Sequence, residues 1–227
     1  MSAIAMLVIA SGAFVGTHFL LSHPLRAPLV GNVGEKAFGG IYTVVALATF
    51  AWIVIEFRKA VAEAPQPLWD AGRMGWIFAT ILMWLGSVLF IGSLRRNPAL
   101  PRPGKTIERI DDPNGVYSIT RHPMMWGFAL WGVVHAIVNP TPAGLVLSFT
   151  IVFLALVGAA LQDEKKAKLM GEVWVDWRSR TSFIPYGRGL KSAGAFALVG
   201  GTLLWLAATW AHGALGYRPA GIWAFIA

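Results

Sequence analysis

The sequence has no cysteine. That excludes disulfides, thiolate ligation of a metal, haem attachment through CxxCH and thiol nucleophiles. Charge is scarce: 13% of the 227 residues are charged, and the 11 acids are outnumbered by 19 lysines and arginines. No HExxH, P-loop or GxGxxG occurs, and there is no repeat of 20–50 residues and no low-complexity tract. What fills the space is apolar, since 56% of residues are hydrophobic, above the roughly 45–50% of ordinary soluble domains.

Six stretches carry no Asp, Glu, Lys or Arg: 3–21, 37–55, 74–94, 123–138, 142–161 and 193–211. A helix needs about 20 such residues to span a bilayer, so five are long enough and the fourth is short. NPTP at 139–142 is turn chemistry that folds the fourth and fifth stretches into an antiparallel hairpin, which makes the fourth a span too. Apolar runs without period-two alternation predict helices rather than a barrel. The expected fold is all-α, a polytopic bundle of about six transmembrane helices in one domain over 1–227. The first run lacks a preceding basic residue and is longer than a signal core, so it is expected to stay attached as a helix.

With six spans the polar segments alternate sides, and the basic residues divide unevenly. One set holds Arg26, Lys36, Arg95, Arg96, Arg102, Lys105, Arg109, Arg121, Lys165, Lys166, Lys168, Arg178, Arg180, Arg188 and Lys191; the other holds Arg58, Lys59, Arg73 and Arg218. The positive-inside rule then places 22–36, 95–122 and 162–192 in the cytoplasm and both termini outside, in a bacterial inner membrane. The net charge of +8 serves topology and contact with anionic membrane lipid. Without interleaved exposed aromatics it gives no support to nucleic-acid binding. The segment 162–189, QDEKKAKLMGEVWVDWRSRTSFIPYGRG, is expected to be partly helical and to lie against the membrane surface.

Once charges are swept to the ends, ionisable side chains within spans become the functional candidates. The five histidines are His18, His23, His122, His135 and His212. His23 and His212 lie at water interfaces, where a polar residue costs little. His122, in RHP, also suits the start of a helix whose first residue is proline. His18 and His135 lie deeper, as metal ligands or as hydrogen-bonding contacts between helices. His122 and His135 are 13 residues apart on one helix, ~20 Å at 1.5 Å per residue, so they do not share an ion.

The spans hold no carboxylate, which disfavours hydrolytic zinc and magnesium sites. A cofactor wanting two nitrogen ligands, an oily pocket and cations for its propionates fits better, and haem b is such a cofactor. Arg26 and Arg121 are among the cytoplasmic arginines available to propionates. Gly132, three residues before His135, leaves that helix face bare for a flat macrocycle, or serves as a helix-packing notch.

TRHPMMWGFALWGVVHAIVNP, the earlier HFLLSHPLRAPLVGNVGEKAFGGIY and the later KKAKLMGEVWVDWRSRTSFIPY together resemble the NnrU family, which includes 15-cis-zeta-carotene isomerase. The resemblance runs over about residues 14–187. It implies a multi-span membrane protein, and its isomerase branch implies haem b held by histidines matching His18 and His135, acting on an apolar polyene in cis–trans isomerisation. That branch has a cysteine, a redox-exchanged ligand, where this chain has Gly132. The bacterial branch is associated with nitrite and nitric oxide metabolism.

RHPMMWG with the later GEVWVDWRSRTSFIP is more distantly similar to isoprenylcysteine carboxyl methyltransferases. That similarity implies an S-adenosylmethionine pocket near Arg121, His122 and Glu164, although Met125, Trp174 and Trp177 stand where tyrosines are expected. A non-catalytic assembly factor is the third reading. Upright ideal helices put His18 and His135 at depths differing by ~16 Å, which tilt or a haem nearly parallel to the membrane would reconcile. His18 with His122 is the depth-matched alternative.

Overall fold

A computed structural model of the chain describes residues 1–95 and 109–226. Arg96, Arg102 and Lys105 of the basic set lie outside the described residues. Among the described residues the elements are all helices: α1 (Ala3–Ser22), α2 (Arg26–Glu63), α3 (Gly72–Ser93), α4 (Val116–Ile119), α5 (Pro123–Val138), α6 (Pro142–Met170), α7 (Glu172–Arg180), α8 (Ala195–Ala214) and α9 (Trp223–Ile226). Five of them, α1, α2, α3, α6 and α8, are long and apolar enough to cross a membrane; α5 is apolar and 16 residues long. The chain is a multi-pass membrane protein by this composition. Its outward faces carry side chains suited to lipid, such as Val44 and Leu47 on α2, Phe78 and Ile81 on α3 and Phe149 on α6.

Local sequence explains the breaks. Ser2 caps α1 by accepting from the Ala5 amide at 3.3 Å, and Thr141 caps α6 by accepting from the Gly144 amide at 3.0 Å with Pro142 at the first helical position. Two helices meet within α2 at Gly34, whose φ of 81° suits glycine, so the 37–55 run begins one turn past a kink. α6 runs beyond its apolar stretch, which ends at Leu161, to Met170, where Gly171 at φ 54° stops it. The QDEKK segment is therefore the projecting end of a spanning helix.

α1, α2 and α6 pack together, α6 packs on α5, α5 on α3, and α3 on α8. α6 thus stands between the α1–α2 pair and α5. Leu7, Ala10 and Phe14 of α1 close against Ile53 and Ala60 of α2 and Ala143 of α6. A second cluster at the basic end gathers Val88, Leu89, Val116, Tyr117 and Ile119 around Trp174 and Trp177. These two tryptophans, 0% and 2% exposed, turn into the protein, so α7 docks on the bundle by its aromatic face. The ends stay distinct: at the opposite end Leu68 donates to the Pro140 carbonyl at 2.9 Å and the Trp69 indole to Ile137 at 3.2 Å.

Small residues let backbones approach, as membrane bundles require. A Cβ on Gly201 of α8 would lie 2.5 Å from the Cα of Val88 on α3. Gly201→Ala is expected to cost about 1–3 kcal/mol through overpacking and to lower the thermal midpoint in detergent. Gly12→Ala, with open space around its Cβ position, is the control and should leave that midpoint within error.

Candidate functional site

A cavity of about 450 Å³ opens between α1, α2, α5 and α6 towards the basic end. Phe14, His18, Tyr42, Met125, Phe128 and Leu154 form much of its wall, and no Asp or Glu lines it. His18 sits four residues after Phe14 on one helix face, so its Nδ1 reaches the Phe14 carbonyl at 2.7 Å. A carbonyl only accepts, so Nδ1 carries the proton and the neutral ring keeps its lone pair on Nε2. The ring is held by Phe14 at 4.3 Å between centroids and by the edge of Tyr42 at 5.6 Å. Among the described residues Nε2 has no hydrogen-bond partner.

Cations collect at the mouth. His23, Gln162 and Lys165 line it, and the Lys165 ammonium donates to the Ser22 carbonyl at 3.4 Å. Burial pushes the Lys165 pKa down, Arg26 and Lys166 push it further by repulsion, and Glu35 opposes them. Burial and then Arg26 also lower Lys166. His23 is lowered by burial and by Lys165, against Glu164. Arg26 pairs with Glu35. An apolar chamber capped by mutually repelling cations is suited to an amphiphile whose anionic groups meet Lys165 and Arg26.

RHP builds something else. Pro123 opens α5, and His122 immediately precedes it at φ −121°. Arg121 Nε donates to Asp163 Oδ1 and Oδ2 at 3.0 and 2.8 Å, its terminal nitrogen to Oδ2 at 2.5 Å, and His122 Nε2 to Oδ1 at 2.8 Å. All three residues are buried, the carboxylate only 4% exposed. The Phe183 ring lies 5.4 Å from both the guanidinium and the imidazole. The Phe183 carbonyl accepts from the Thr120 hydroxyl at 2.7 Å and the Trp126 indole at 2.8 Å. Burial alone would raise the Asp163 pKa; hydrogen bonds and charge from His122 and Arg121 outweigh it and hold the carboxyl at about 2.

The residues expected at one site therefore separate. His18 faces the cavity, Arg26 bears on its mouth, and Arg121 and His122 are closed on Asp163, which disposes of His18 with His122 as a pair. His135 is turned elsewhere: its Nδ1 donates to Trp131 O at 2.8 Å, its ring stacks on Trp131 at 3.9 Å, and its near neighbour is His212 at 6.4 Å between centroids. The cavity reaches α5 at Met125 and Phe128, and His135 is seven residues further, ~10 Å by helix rise. The structure does not bring His18 and His135 together. Nor is Gly132 a bare face, since a Cβ there would lie 2.7 Å from Val152 Cγ2 and 2.8 Å from Ser148 O of α6; it is the packing notch.

Glu164, expected near Arg121 and His122, is replaced in that role by its neighbour Asp163. Sequence reasoning missed Asp163, although it is the first acid after the fifth apolar run and so the first that could meet RHP at the same membrane boundary.

A family model described as NnrU protein matches residues 6–219. No curated protein and no solved structure matches.

Removing the Asp163 carboxylate strands a buried guanidinium. Asp163→Ala is expected to cost about 3–5 kcal/mol, read as a lower thermal midpoint of the detergent-solubilised protein. Because the folded pKa is depressed, this contribution is fully present above the ordinary aspartate value of 3.8 and is lost as pH falls through about 2. Asp163→Asn should flatten the acid dependence of stability in that window. An unchanged acid limb would show that the carboxylate is not held by its neighbours.

Proposed function

The chain belongs to the NnrU family, and on that premise we propose that it is a haem b-binding protein of the bacterial inner membrane in which His18 would ligate the iron. The orientation proposed has six spans, α5 among them, both termini outside and the RHP end in the cytoplasm, as the distribution of basic residues favours. The observation that carries the reading is His18 Nε2, a lone pair fixed by the Nδ1 bond to Phe14, on a 450 Å³ apolar cavity with a cationic mouth.

The donor set suits the group in part. An Nδ1–H held by a backbone carbonyl is the arrangement that fixes a ligating imidazole and raises its basicity. Lys165 and Arg26 are placed to receive carboxylates, and Phe14, Phe128 and Leu154 keep water from the chamber. His135 does not fit as a second ligand to the same iron, because it is turned to Trp131 and His212 and lies seven residues, ~10 Å of helix rise, beyond Phe128, where α5 lines the cavity. With no cysteine in the chain and Gly132 closed on α6, a thiolate exchange at that position is absent.

Bound haem would supply an iron able to act as Lewis acid or electron donor towards a polyene double bond. Cis–trans isomerisation asks of the chain only an oily chamber and no general acid or base, and the carboxylate-free lining of the cavity matches that demand. A redox or haem-handling role in nitrite and nitric oxide metabolism would use the same ligand. For methyl transfer, the cationic side chains that would hold S-adenosylmethionine are spent on Asp163.

Absorption spectra of the full chain, purified in detergent from haem-replete cells and recorded oxidised and reduced, test this. A Soret band is expected, lost by His18→Ala, weakened by Lys165→Ala and kept by His135→Ala. A colourless, folded preparation overturns haem binding, and a band lost with His135→Ala overturns the assignment of His18 as the sole histidine ligand.

A further inference from the structure

His135 and His212 come from α5 and α8, helices that both pack on α3 and end at the side of the bundle bearing the two termini. Each ring uses Nδ1 in the same way: His135 donates to Trp131 O and His212 to Ala208 O, both at 2.8 Å and both four residues back. A carbonyl has no proton to give, so both neutral rings carry hydrogen on Nδ1 and a lone pair on Nε2. Two ligand nitrogens are thus set in the metal-binding tautomer before any ion arrives. Trp131, stacked 3.9 Å from the His135 ring at 29°, fixes one of them further.

With both Nε2 atoms turned to a shared ion, the centroid spacing is that of one ion between the rings. Two metal–nitrogen bonds of about 2 Å, plus about 1 Å from each nitrogen to its ring centre, give ~6 Å between centroids. The observed separation is 6.4 Å.

We propose that His135 and His212 form a two-coordinate site for monovalent copper at this end of the bundle. Imidazole suits copper among the first-row metals, and the filled-shell cuprous ion is satisfied by two collinear nitrogens. Zinc asks for four ligands, and no group of three or more histidines or acids able to hold a metal ion occurs among the described residues. The site is independent of the His18 cavity, so neither stands or falls with the other.

The test is a competition titration of the full chain in detergent, with Cu(I) kept reduced by ascorbate in the presence of a chromogenic cuprous chelator. The protein should withdraw one equivalent with an affinity that falls at least tenfold in His212→Ala and is unchanged in His18→Ala. His212 is exposed, so its substitution should leave the fold intact, checked by an unchanged thermal midpoint. His135→Ala should lose the same equivalent. No copper withdrawn, or an equal amount withdrawn by His212→Ala, overturns the proposal. Zn(II) retained as tightly through the same two residues overturns the choice of ion. A haem Soret band that disappears with His212→Ala would assign the pair to haem instead.

Discussion

The Asp163 carboxylate accepts from Arg121 and His122 at once, and the basic end of the bundle is arranged around it. Arg121 and His122 directly precede α5, and Asp163 lies on the projecting end of α6, so one buried acid ties two helices where both leave the apolar layer. The backbone follows: the Arg121 amide donates to Ser182 at 2.8 Å and the Tyr186 amide to Ile119 at 3.0 Å, drawing the segment after α7 over the joint. A buried charge is tolerated only when paired and hydrogen-bonded, and here every strong acceptor position on the carboxylate is engaged. RHP in this chain is therefore first an architectural device.

That clamp leaves its neighbours available for other work. With Arg121 neutralised by Asp163, Lys165, Lys166 and Arg26 are cations near the cavity mouth, and of these three, among the described residues, Arg26 pairs with an acid, Glu35. Their mutual repulsion beside an apolar chamber stores a preference for an anionic amphiphile. His18 contributes a directed lone pair inside. An oily volume, one fixed nitrogen donor and a cationic rim are together what a propionate-bearing macrocycle needs from a protein.

Helix positions and their order were legible in the sequence because lipid imposes a long uncharged run on each span. The antiparallel α5–α6 hairpin followed from NPTP for the same reason. What a single sequence does not carry is azimuth. It ranks residues by depth along each helix, which is how His18 and His135 were seen to sit ~16 Å apart in level, but it does not say which helices are neighbours. α6 stands between α1 and α5, whereas α8 reaches α5's flank across α3. So His212, which reads as an interfacial residue, is the partner near His135, and Gly132 faces α6 instead of an open space. Asp163 escaped notice for a related reason: QDEKK reads as a solvated charge run until α6 is seen to continue through it, turning one acid inward while Glu164 stays out.

The account rests on two histidine layers, His18 in one and His135 with His212 in the other. A chain without native cysteine allows the neighbour relation to be read directly. In the double variants His135→Cys with His212→Cys and His18→Cys with His135→Cys, a short bifunctional thiol reagent followed by proteolysis and mass spectrometry reports which pair lies within reach. Cross-linking of positions 135 and 212, and none between 18 and 135, is the predicted result. Efficient cross-linking of 18 to 135 would contradict it and return both histidines to one site.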